Sequence, residues 1–503
     1  MVLFIQPRVN PASQYPLINK FIYASFPTGL GFLAGYLREK NLASVKIVDE
    51  NIDPLNDENL TKEIKSLKHP KIIGISVLTI NSKRAFQLAK NIKEIDSNIT
   101  IVLGGVHPTV LPEECLKEGV DVIVRGEGEV TLSELYDAIA NDIPISKIKG
   151  ISYREGTRII HNPDRELTPL DDIPLFPYDL FEKNLNKYRD FGTIITSRGC
   201  PYNCIFCSQR AISGGKYRFV PSERIIEELN ILINKYHQKN ILFMDDNLSV
   251  NKKRLIDLCN AIIDNGFHKK AGFIAQLRGD SVDYELLRKM KKANFVLLSF
   301  GSETTSERLM KIIDKQETPE DNMRAIRMAH ELGFKTSTTF IFGIPTETRA
   351  ERLKTIRDAS KLPLDSVRFN IAVPYPGTRL YDIAKRNGLL SKKNNWHNFN
   401  VQYYVMGDDI PYVPEGVNRD LLMYDTMRAN LMFHLSWHGI KNIIKAPISG
   451  SAVTLPDSWY LSPITILRIF GLFFYIAERF LFLFIRAFFI QLSNKLKGMI
   501  TKK

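Results

Sequence analysis

The chain has 503 residues, of which 44% are hydrophobic and 24% are charged, and this length predicts about three domains. The composition excludes a mostly disordered chain, a collagen and a small disulfide-stapled protein. The net charge is +13, and residues 441–503 carry nine Lys or Arg against two acids, Asp457 and Glu478. This local excess of positive charge indicates an anionic surface as a partner.

Five cysteines are few for this length, and their number is odd. The first residues, Met1 to Pro7, lack the basic stretch and the apolar run of a secretory signal peptide. We therefore expect a cytoplasmic protein with reduced thiols. In such proteins clustered cysteines bind a metal more often than they form disulfides.

The first 140 residues alternate buried strands with amphipathic helices. Apolar, β-branched runs predict the strands, and apolar residues at helical spacing predict the helices. The predicted strands are 2–6, 45–49, 71–77, 99–103 and 121–124, and the predicted helices include 29–40, 82–95 and 130–140. This order predicts an α/β domain over residues 1–145, with an open, parallel, doubly wound sheet of Rossmann-like type.

The segments that follow three of these strands are rich in glycine and small polar residues. They are residues 76–79, 104–109 and 125–129. Such sheets bind ligands at the carboxyl ends of their strands. The glycines could merely turn the chain, but three such loops at one edge favour a bound ligand.

A linker and a second series of strands and helices follow. Residues 146–190 contain a predicted hairpin, 151–160, and a Pro-rich connector, 171–177. Predicted strands then lie at 193–197, 240–245, 272–277, 295–300, 336–342 and 366–373. Six strand–helix units predict a full or partial barrel over residues 191–390, whose chemistry lies at the carboxyl ends of the strands. Residues 391–460 are predicted to be irregular and then helical, and residues 461–498 to form a hydrophobic helix.

Three cysteines stand directly after the first strand of this second series. Cys200, Cys204 and Cys207 form a C-x3-C-x2-C pattern, which lets one loop wrap around one soft metal centre. A structural zinc takes four protein ligands, and the nearest histidines, His161 and His237, are distant in sequence. A cubane iron–sulfur cluster has four irons, so three cysteines would leave one iron open. The pattern therefore favours an iron–sulfur cluster over a zinc knuckle or chance clustering.

This cysteine pattern at the start of a βα barrel resembles the radical S-adenosylmethionine (SAM) superfamily. The resemblance implies that the open iron of a 4Fe-4S cluster chelates SAM, and that one electron cleaves SAM to a 5′-deoxyadenosyl radical. It also implies a SAM site built from strand-end residues and from the aromatic residue between the last two cysteines. These residues are Phe206, Asp245, Asp246, Gln276, Arg278, Glu303 and Gly343.

Parts of the SAM site depart from the family pattern. The segment Asp245-Asp246-Asn247 stands where many members have Gly-Gly-Glu, so the motif leaves open which aspartate contacts SAM. Arg278 and Glu303 could instead form structural ion pairs. Cys115 and Cys259 lie in helical patterns and are predicted to be core thiols. The absence of a second cysteine cluster in the sequence argues against a methylthiotransferase.

The N-terminal domain resembles the cobalamin-binding domain that precedes many radical SAM barrels. A flat corrin needs a wide crevice lined by closely approaching backbone, which glycine-rich strand ends can provide. The candidate cobalamin residues are Ser76, Thr79, Gly104, Gly105, His107, Gly126, Glu127 and Gly128. The Asp-x-His-x-x-Gly motif of an axial histidine is missing from the sequence. We therefore expect cobalamin without a histidine ligand, and a capping or core role for His107; an empty, degenerate domain is the alternative.

The resemblance implies an enzyme that functionalises an unactivated carbon. In cobalamin-dependent members, one SAM methylates cobalamin and a second SAM gives the radical, and the substrate radical then takes the methyl group. Related enzymes use the same architecture for ring formation on a lipid or tetrapyrrole, which the sequence does not separate from methylation. A cobalamin or redox sensor without catalysis is a more distant alternative. We expect flavodoxin or ferredoxin as the electron donor and no nucleic acid as a partner.

Residues 463–490 are mostly Leu, Ile and Phe. As a helix they would run about 42 Å, enough to cross a bilayer, but Arg468, Glu478, Arg479 and Arg486 interrupt them. The three arginines fall on one narrow stripe of the helix. This pattern predicts a helix in the membrane interface with its arginines at lipid phosphates, and hence a peripheral protein on the inner face of the cell membrane with a lipid-like or other apolar substrate. A spanning anchor and a helix buried against the barrel are the alternatives.

Overall fold

The computed structural model describes residues 1–9, 26–188, 190–391, 395–435 and 463–500. Within the last segment, side chains are described for residues 474–496. The strands of the first domain are β1 (Val2–Gln6), β2 (Val45–Asp49), β3 (Ile72–Ser76), β4 (Thr100–Gly104), β5 (Val122–Val124), β6 (Ile151–Glu155) and β7 (Arg158–His161). Its helices are α1 (Thr28–Glu39), α2 (Asp57–Lys65), α3 (Ser82–Ile95), α4 (Val106–Val110), α5 (Pro112–Lys117) and α6 (Glu129–Ala140).

These strands form one sheet in the order β2-β1-β3-β4-β5-β6-β7, and the first five are parallel. Helices cover both faces, so the residues of β1 from Val2 to Ile5 are fully buried. The winding direction changes between β1 and β3, where sheets of this type bind ligands. The predicted doubly wound α/β domain is confirmed.

The predicted linker hairpin instead extends this sheet. β6 pairs antiparallel with β5, with Ile151 opposite Val124, and β7 pairs antiparallel with β6. The pairing gives β5 a partner on its open edge, which an exposed parallel strand would lack. The first sheet therefore continues to His161.

The second domain contains a six-stranded parallel sheet in the order β8-β11-β12-β13-β14-β15. Its strands are β8 (Thr193–Ile194), β11 (Asn240–Phe243), β12 (Gly272–Leu277), β13 (Phe295–Glu303), β14 (Lys335–Phe342) and β15 (Ser366–Ile371), and a separate short pair is formed by β9 (Ser197–Arg198) and β10 (Arg218–Phe219). The helices are α7 (Arg210–Ser213), α8 (Ser222–Asn230), α9 (Lys252–Asp264), α10 (Tyr284–Lys292), α11 (Glu307–Ile312), α12 (Pro319–Glu331), α13 (Arg349–Ala359) and α14 (Arg379–Arg386). The partial (β/α)6 barrel is thus confirmed.

The strand predicted at 193–197 divides into two. Thr193 and Ile194 pair with β11 in the barrel, whereas Ser197 and Arg198 leave the barrel and pair antiparallel with β10. This departure carries the chain directly into the cysteine loop.

The Pro-rich connector is a packed seam between the two domains. The rings of Phe176 and Tyr178 pack at a tilt with centroids 4.8 Å apart, and both rings touch Phe26 of the first domain. Phe191, at the entry to the barrel, continues this aromatic cluster. The shared apolar core holds the two domains against each other.

The C-terminal region contains the helices α15 (Tyr403–Met406), α16 (Arg419–His434) and α17 (Pro463–Ile500). The long helix α17 packs on α16, and Tyr424 stacks on Phe480 with centroids 5.7 Å apart. Leu483 and Ala487 are fully buried in this contact. Within the described parts of the chain, every helix is too short or too polar to cross a membrane.

The predicted placement of the arginines at lipid phosphates is wrong for Arg479 and Arg486. Arg479 pairs with Asp408 at 2.6 Å, and it donates to the Gly407 carbonyl at 2.9 Å. Arg486 pairs with Asp408 at 3.0 Å and with Asp420 at 2.8 Å. These acids and carbonyls satisfy the guanidinium groups, so this stripe of α17 faces the protein. The side chain of Arg468 lies outside the described residues.

Candidate functional site

A cavity of about 360 Å³ lies between the two domains. The strand ends of the first domain form one wall, and the start of the barrel forms the other. Apolar side chains dominate the lining, among them Phe32 and Leu132 from the first domain and Ile195, Ile212 and Met244 from the second. A mostly apolar pocket of this size at a domain interface is a typical small-molecule site.

Six of the eight candidate cobalamin residues line this cavity. They are Ser76, Gly104, Gly105, Gly126, Glu127 and Gly128. Gly105 adopts φ +105°, and a Cβ there would approach the Val77 carbonyl to 2.7 Å, so only glycine fits. Glycines therefore bring bare backbone to this side of the cavity, which we call the glycine wall, and such a surface suits the flat face of a corrin.

The other two candidates, Thr79 and His107, do not line the cavity. His107 is fully buried, and its Nδ1 lies 3.3 Å from the Thr79 hydroxyl. Its ring packs edge-on against Trp396 at 5.4 Å. Burial lowers the pKa of His107 to about 4, so the ring is neutral. These contacts favour the core role that the sequence analysis preferred for His107.

An ion-pair network crosses the boundary between the domains beside the cavity. Arg218 donates to Glu127 at 3.0 Å, and Arg198 donates to Glu129 at 2.7 Å. Arg198 also lies over the ring of Phe32 at 4.8 Å. Burial acts to raise the pKa of Glu129, but the charges of Arg198 and Arg218 and the hydrogen bonds that Glu129 accepts together outweigh it, and the pKa is lowered. The lowered pKa keeps Glu129 ionised, and the network joins the two walls of the cavity.

The cysteine loop is held in place by backbone contacts. Ile205 donates to the Ile313 carbonyl at 3.0 Å and accepts from the Leu380 amide at 2.9 Å. Gly199 adopts φ +87°, and a Cβ there would collide with the Lys216 carbonyl at 2.0 Å. The loop conformation therefore depends on glycine immediately before the first cysteine.

Two buried cations, Lys315 and Arg278, lie near the thiols of Cys200 and Cys204. Burial raises the pKa of Cys204 to about 12, while the charges of Lys315 and Arg278 act in the opposite direction. Among the described side chains, no three His, Cys, Asp or Glu residues are gathered as the ligands of a single ion would be. Each thiolate of a cubane cluster binds a different iron, so a wider spacing suits it. The three thiols and the nearby cations thus fit a 4Fe-4S cluster.

The two adjacent aspartates have different environments. Asp245 is buried and accepts hydrogen bonds from the Thr196 amide and hydroxyl, both at 3.0 Å, and from the Ser197 hydroxyl. Burial raises the pKa of Asp245 to about 6. Asp246 is exposed, lines the cavity and accepts from the Gly199 amide at 2.9 Å. Among the candidate SAM residues, only Asp246 is part of the wall of this cavity.

Arg278 and Glu303 lie in a buried charge network close to the cysteines. Arg278 donates to Asp280 at 2.8 and 3.0 Å and to the Lys315 carbonyl at 2.8 Å, and its guanidinium lies over the ring of Tyr202 at 3.6 Å. Glu303 accepts from Lys315 at 2.7 Å. These contacts match the structural ion pairs that the sequence analysis held as the alternative.

The remaining candidate SAM residues lie elsewhere around the barrel. Gln276 is exposed at the end of β12, and Phe206 is half-buried against the apolar cluster of Ile205. The Gly343 amide donates to Glu347 at 2.7 Å. Burial raises the pKa of Glu347 to about 7.

Sequence reasoning missed the charged residues Arg198, Arg218, Lys315 and Glu317. Lys315 is buried and pairs with Glu303 and with Glu317 at 3.2 Å. Burial acts to lower the pKa of Lys315, but the two carboxylates outweigh it and raise it. Arg198 could have been suspected from its position two residues before Cys200. Lys315 lies in a polar segment whose sequence is typical of a surface loop, so no local pattern indicates that it is buried.

Family models match most of the two α/β domains. Residues 194–359 match the radical SAM superfamily, and residues 16–136 match the B12 binding domain. The chain is 38% identical to an uncharacterized methyltransferase from Pyrococcus horikoshii over 380 residues, which cover 74% of this chain and 81% of that protein.

Two more distant relatives have described activities. The chain is 26% identical to an anaerobic magnesium-protoporphyrin IX monomethyl ester cyclase from Rubrivivax gelatinosus, over 76% of this chain and 69% of the cyclase. It is 25% identical to a hopanoid C-2 methylase from Rhodopseudomonas palustris, over 79% of this chain and 71% of the methylase.

Two solved structures share the fold. The cobalamin-dependent SAM radical enzyme OxsB, with aqua-cobalamin and SAM bound, aligns with a TM-score of 0.68 and 18% identity, over 99% of this chain and 81% of its own. The radical SAM methyltransferase TsrM from Kitasatospora setae, with cobalamin and a [4Fe-4S] cluster bound, aligns with a TM-score of 0.65 and 18% identity, over 78% of this chain and 75% of its own. These likenesses extend across both α/β domains.

Proposed function

The chain belongs to the radical SAM superfamily, in the branch that carries a B12-binding domain, and we propose that it catalyses the cobalamin-dependent C-methylation of an apolar, lipid-like substrate. The observation that carries this proposal is the cavity lined by both domains, with the glycine wall on one side and Asp246 on the other. A methyl carrier and a radical source must act on the same carbon, so their sites have to meet.

The chain's own residues have distinct tasks in this proposal. Cys200, Cys204 and Cys207 hold the 4Fe-4S cluster, and the glycine wall receives the corrin. When bound, the cluster supplies an electron to SAM and the cobalamin supplies the methyl group. Asp246, an exposed carboxylate at the cavity wall, would accept a hydrogen bond from the amino group of SAM.

The proposal also includes the substrate class, the electron donor and the cellular location. Apolar lining residues such as Phe32, Ile195 and Met244 favour an apolar substrate and keep water away from the reacting carbon. The similarity to a hopanoid methylase supports a lipid. Reduced flavodoxin or ferredoxin supplies the electron, and the enzyme works in the cytoplasm at the inner face of the cell membrane.

Ring formation without methyl transfer is a second candidate. The observation that favours it is the similarity to an anaerobic porphyrin cyclase. Both reactions need hydrogen abstraction by the same radical, so the cluster and SAM sites would serve either one. The two differ in the product, because only methylation adds one carbon.

The test is anaerobic reconstitution with iron, sulfide, cobalamin and SAM, followed by mass spectrometry of lipid and tetrapyrrole extracts incubated with the enzyme. Methylation should release both S-adenosylhomocysteine and 5′-deoxyadenosine and add one CH2 unit to a lipid. A product that loses hydrogen without gaining carbon would show that the reaction is ring formation and not methylation. Absence of 5′-deoxyadenosine from fully reconstituted protein would refute radical chemistry altogether.

Cysteine variants give the matched control for this test. Cys200→Ala, Cys204→Ala or Cys207→Ala should each abolish the iron–sulfur absorbance and SAM cleavage. Cys115→Ala and Cys259→Ala should retain both, since these thiols are fully buried in the core. Their cost is a packing defect on the order of 1 kcal/mol. A full iron–sulfur content in the Cys200, Cys204 or Cys207 variant would show that the replaced cysteine is not a cluster ligand.

A further inference from the structure

The outward side of α17 is a continuous apolar surface. Its exposed residues, which we call the outer face, are Leu481, Ile485, Phe488, Phe489, Leu492 and Leu496. They recur at three- and four-residue spacing and so lie along one side of the helix. Between 42% and 62% of each side chain is exposed. Single exposed apolar residues are ordinary, but a contiguous row of this length marks an interaction surface.

The inward direction of the arginines makes this face apolar. Arg479 and Arg486 are engaged with Asp408 and Asp420, and Leu483 and Ala487 are buried against the protein. Arg479 and Arg486 are therefore engaged in ion pairs within the protein. From Leu481 to Leu496 the outer face carries only hydrocarbon side chains, and the exposed Glu478 lies one turn before it.

The positive charge that follows the outer face in the sequence indicates which kind of partner binds this face. Residues 495–503 include four lysines, Lys495, Lys497, Lys502 and Lys503, and residues 479–503 contain no Asp or Glu. Every residue from 491 to 496 is exposed, so this part of the helix stands clear of the other described residues. An apolar row followed by a lysine-rich segment complements a bilayer with anionic headgroups.

We propose that α17 docks on an anionic lipid surface through its outer face, with the aromatic and aliphatic side chains at the acyl boundary and the exposed Lys495 at the headgroups. This inference rests on the proposed membrane location and names the surface that makes the contact. The helix lies in the plane of the interface, and Arg479 and Arg486 stay in their internal ion pairs.

The experiment measures co-sedimentation of the full-length reconstituted protein with vesicles of phosphatidylcholine and phosphatidylglycerol. Ile485→Glu combined with Phe489→Glu places charge on the outer face and should weaken vesicle affinity at least about tenfold, because two buried apolar side chains are lost from the contact. The control combines Ile95→Glu with Ile143→Glu, two exposed apolar residues of the first domain, and should bind as the wild type does. Both variants should keep the wild-type melting temperature and 5′-deoxyadenosine formation.

Three outcomes would overturn the proposal in distinguishable ways. If the wild-type protein does not co-sediment with the vesicles, both the docking face and the membrane location are wrong. If the outer-face variant binds as tightly as wild type while replacement of Lys495 and Lys497 by Gln abolishes binding, the face is wrong but the location stands. If the wild type is a dimer in vesicle-free solution and the outer-face variant is a monomer, the face is an interface between copies of this chain. None of these outcomes alters the evidence for catalysis.

Discussion

Adjacent aspartates at the end of β11 show how one residue step separates a structural role from a ligand-facing role. Both residues follow the last strand residue, Phe243, and Asp245 turns into the protein whereas Asp246 lines the cavity. Asp245 holds the Thr196 and Ser197 hydroxyls at the point where the chain leaves the barrel. Asp246 meets the chain from the other side, through the Gly199 amide.

Because of this difference, the same substitution should weaken SAM binding at one position and lower the stability at the other. Asp246→Asn should weaken SAM binding about tenfold, since a charge-assisted hydrogen bond is lost, and should leave the melting temperature close to that of wild type. Asp245→Asn should lower the melting temperature, because an amide cannot accept from every donor around this carboxylate. Isothermal titration with SAM and thermal unfolding measure the two effects. Equal SAM affinity in wild type and Asp246→Asn would rule out the proposed contact.

Glu228 gives a pH dependence that lies outside the active site. This buried carboxyl accepts from the Phe176 amide and the Tyr178 hydroxyl at 3.4 Å each, and burial raises its pKa from 4.5 to about 7. The folded state therefore favours the protonated form. The stability that this gives is complete below about pH 4.5 and is lost as the pH rises through about 7.

Glu228→Gln should remove this loss, because the amide stays neutral at every pH. The difference in melting temperature, variant minus wild type, should be small near pH 5 and should become more positive by about pH 8. Differential scanning measurements across this range check the sign. A difference that stays constant with pH would mean that Glu228 does not titrate in this window.

At the scale of secondary-structure elements, the loop after β5 and the β9–β10 pair join the domains. Glu127 and Glu129 come from the first domain, and Arg198 and Arg218 come from the short hairpin-like pair that follows β8. These side chains are largely buried. A buried pair loses much more than an exposed pair when one partner is removed, since the other charge stays desolvated.

Arg218→Met should therefore destabilise the protein by on the order of 3 kcal/mol. The matched control is Arg38→Met, because Arg38 makes an ion pair with Asp179 in which both side chains are close to half exposed. Its loss should cost less than about 1 kcal/mol. Chemical unfolding of both variants compares the two costs, and equal costs would contradict a buried network at the boundary.

At the scale of the whole molecule, the cavity exists because two domains face each other across a packed aromatic seam. Neither the glycine wall nor the barrel wall encloses it alone. The first sheet also needs β6, which supplies the partner of β5. A fragment of residues 1–145 lacks both the barrel wall and this strand.

Cobalamin should therefore be retained by the full-length chain and lost by the fragment of residues 1–145. Absorbance spectra of the purified proteins after anaerobic loading measure retention. The spectrum of the full-length His107→Ala variant should match that of wild type, because His107 does not line the cavity. Tight cobalamin binding by the fragment would show that the barrel wall is dispensable.

The sequence by itself determined the local features of this protein. Periodicity placed the strands and helices of both α/β domains within a few residues. The cysteine pattern at the start of a βα series resembles the radical SAM superfamily, and the family match confirms this. Glycines at the strand ends marked one wall of the cavity. These features depend on neighbouring residues, so a local pattern is enough to detect them.

Only the tertiary structure decided which residues meet. Asp245 and Asp246 are equivalent in the sequence and are separated by the path of the chain after β8. Arg218 pairs with Glu127, far away in the chain, and no local signal encodes this contact. Lys315 pairs with Glu303 and Glu317, which are close in sequence, but only the fold buries the three together. The stripe of Arg479 and Arg486 was visible in the sequence, but its direction was set by Asp408 and Asp420 on a distant segment. A charged stripe pairs with whatever opposite charge the fold brings to it, and periodicity alone cannot tell a carboxylate from a phosphate.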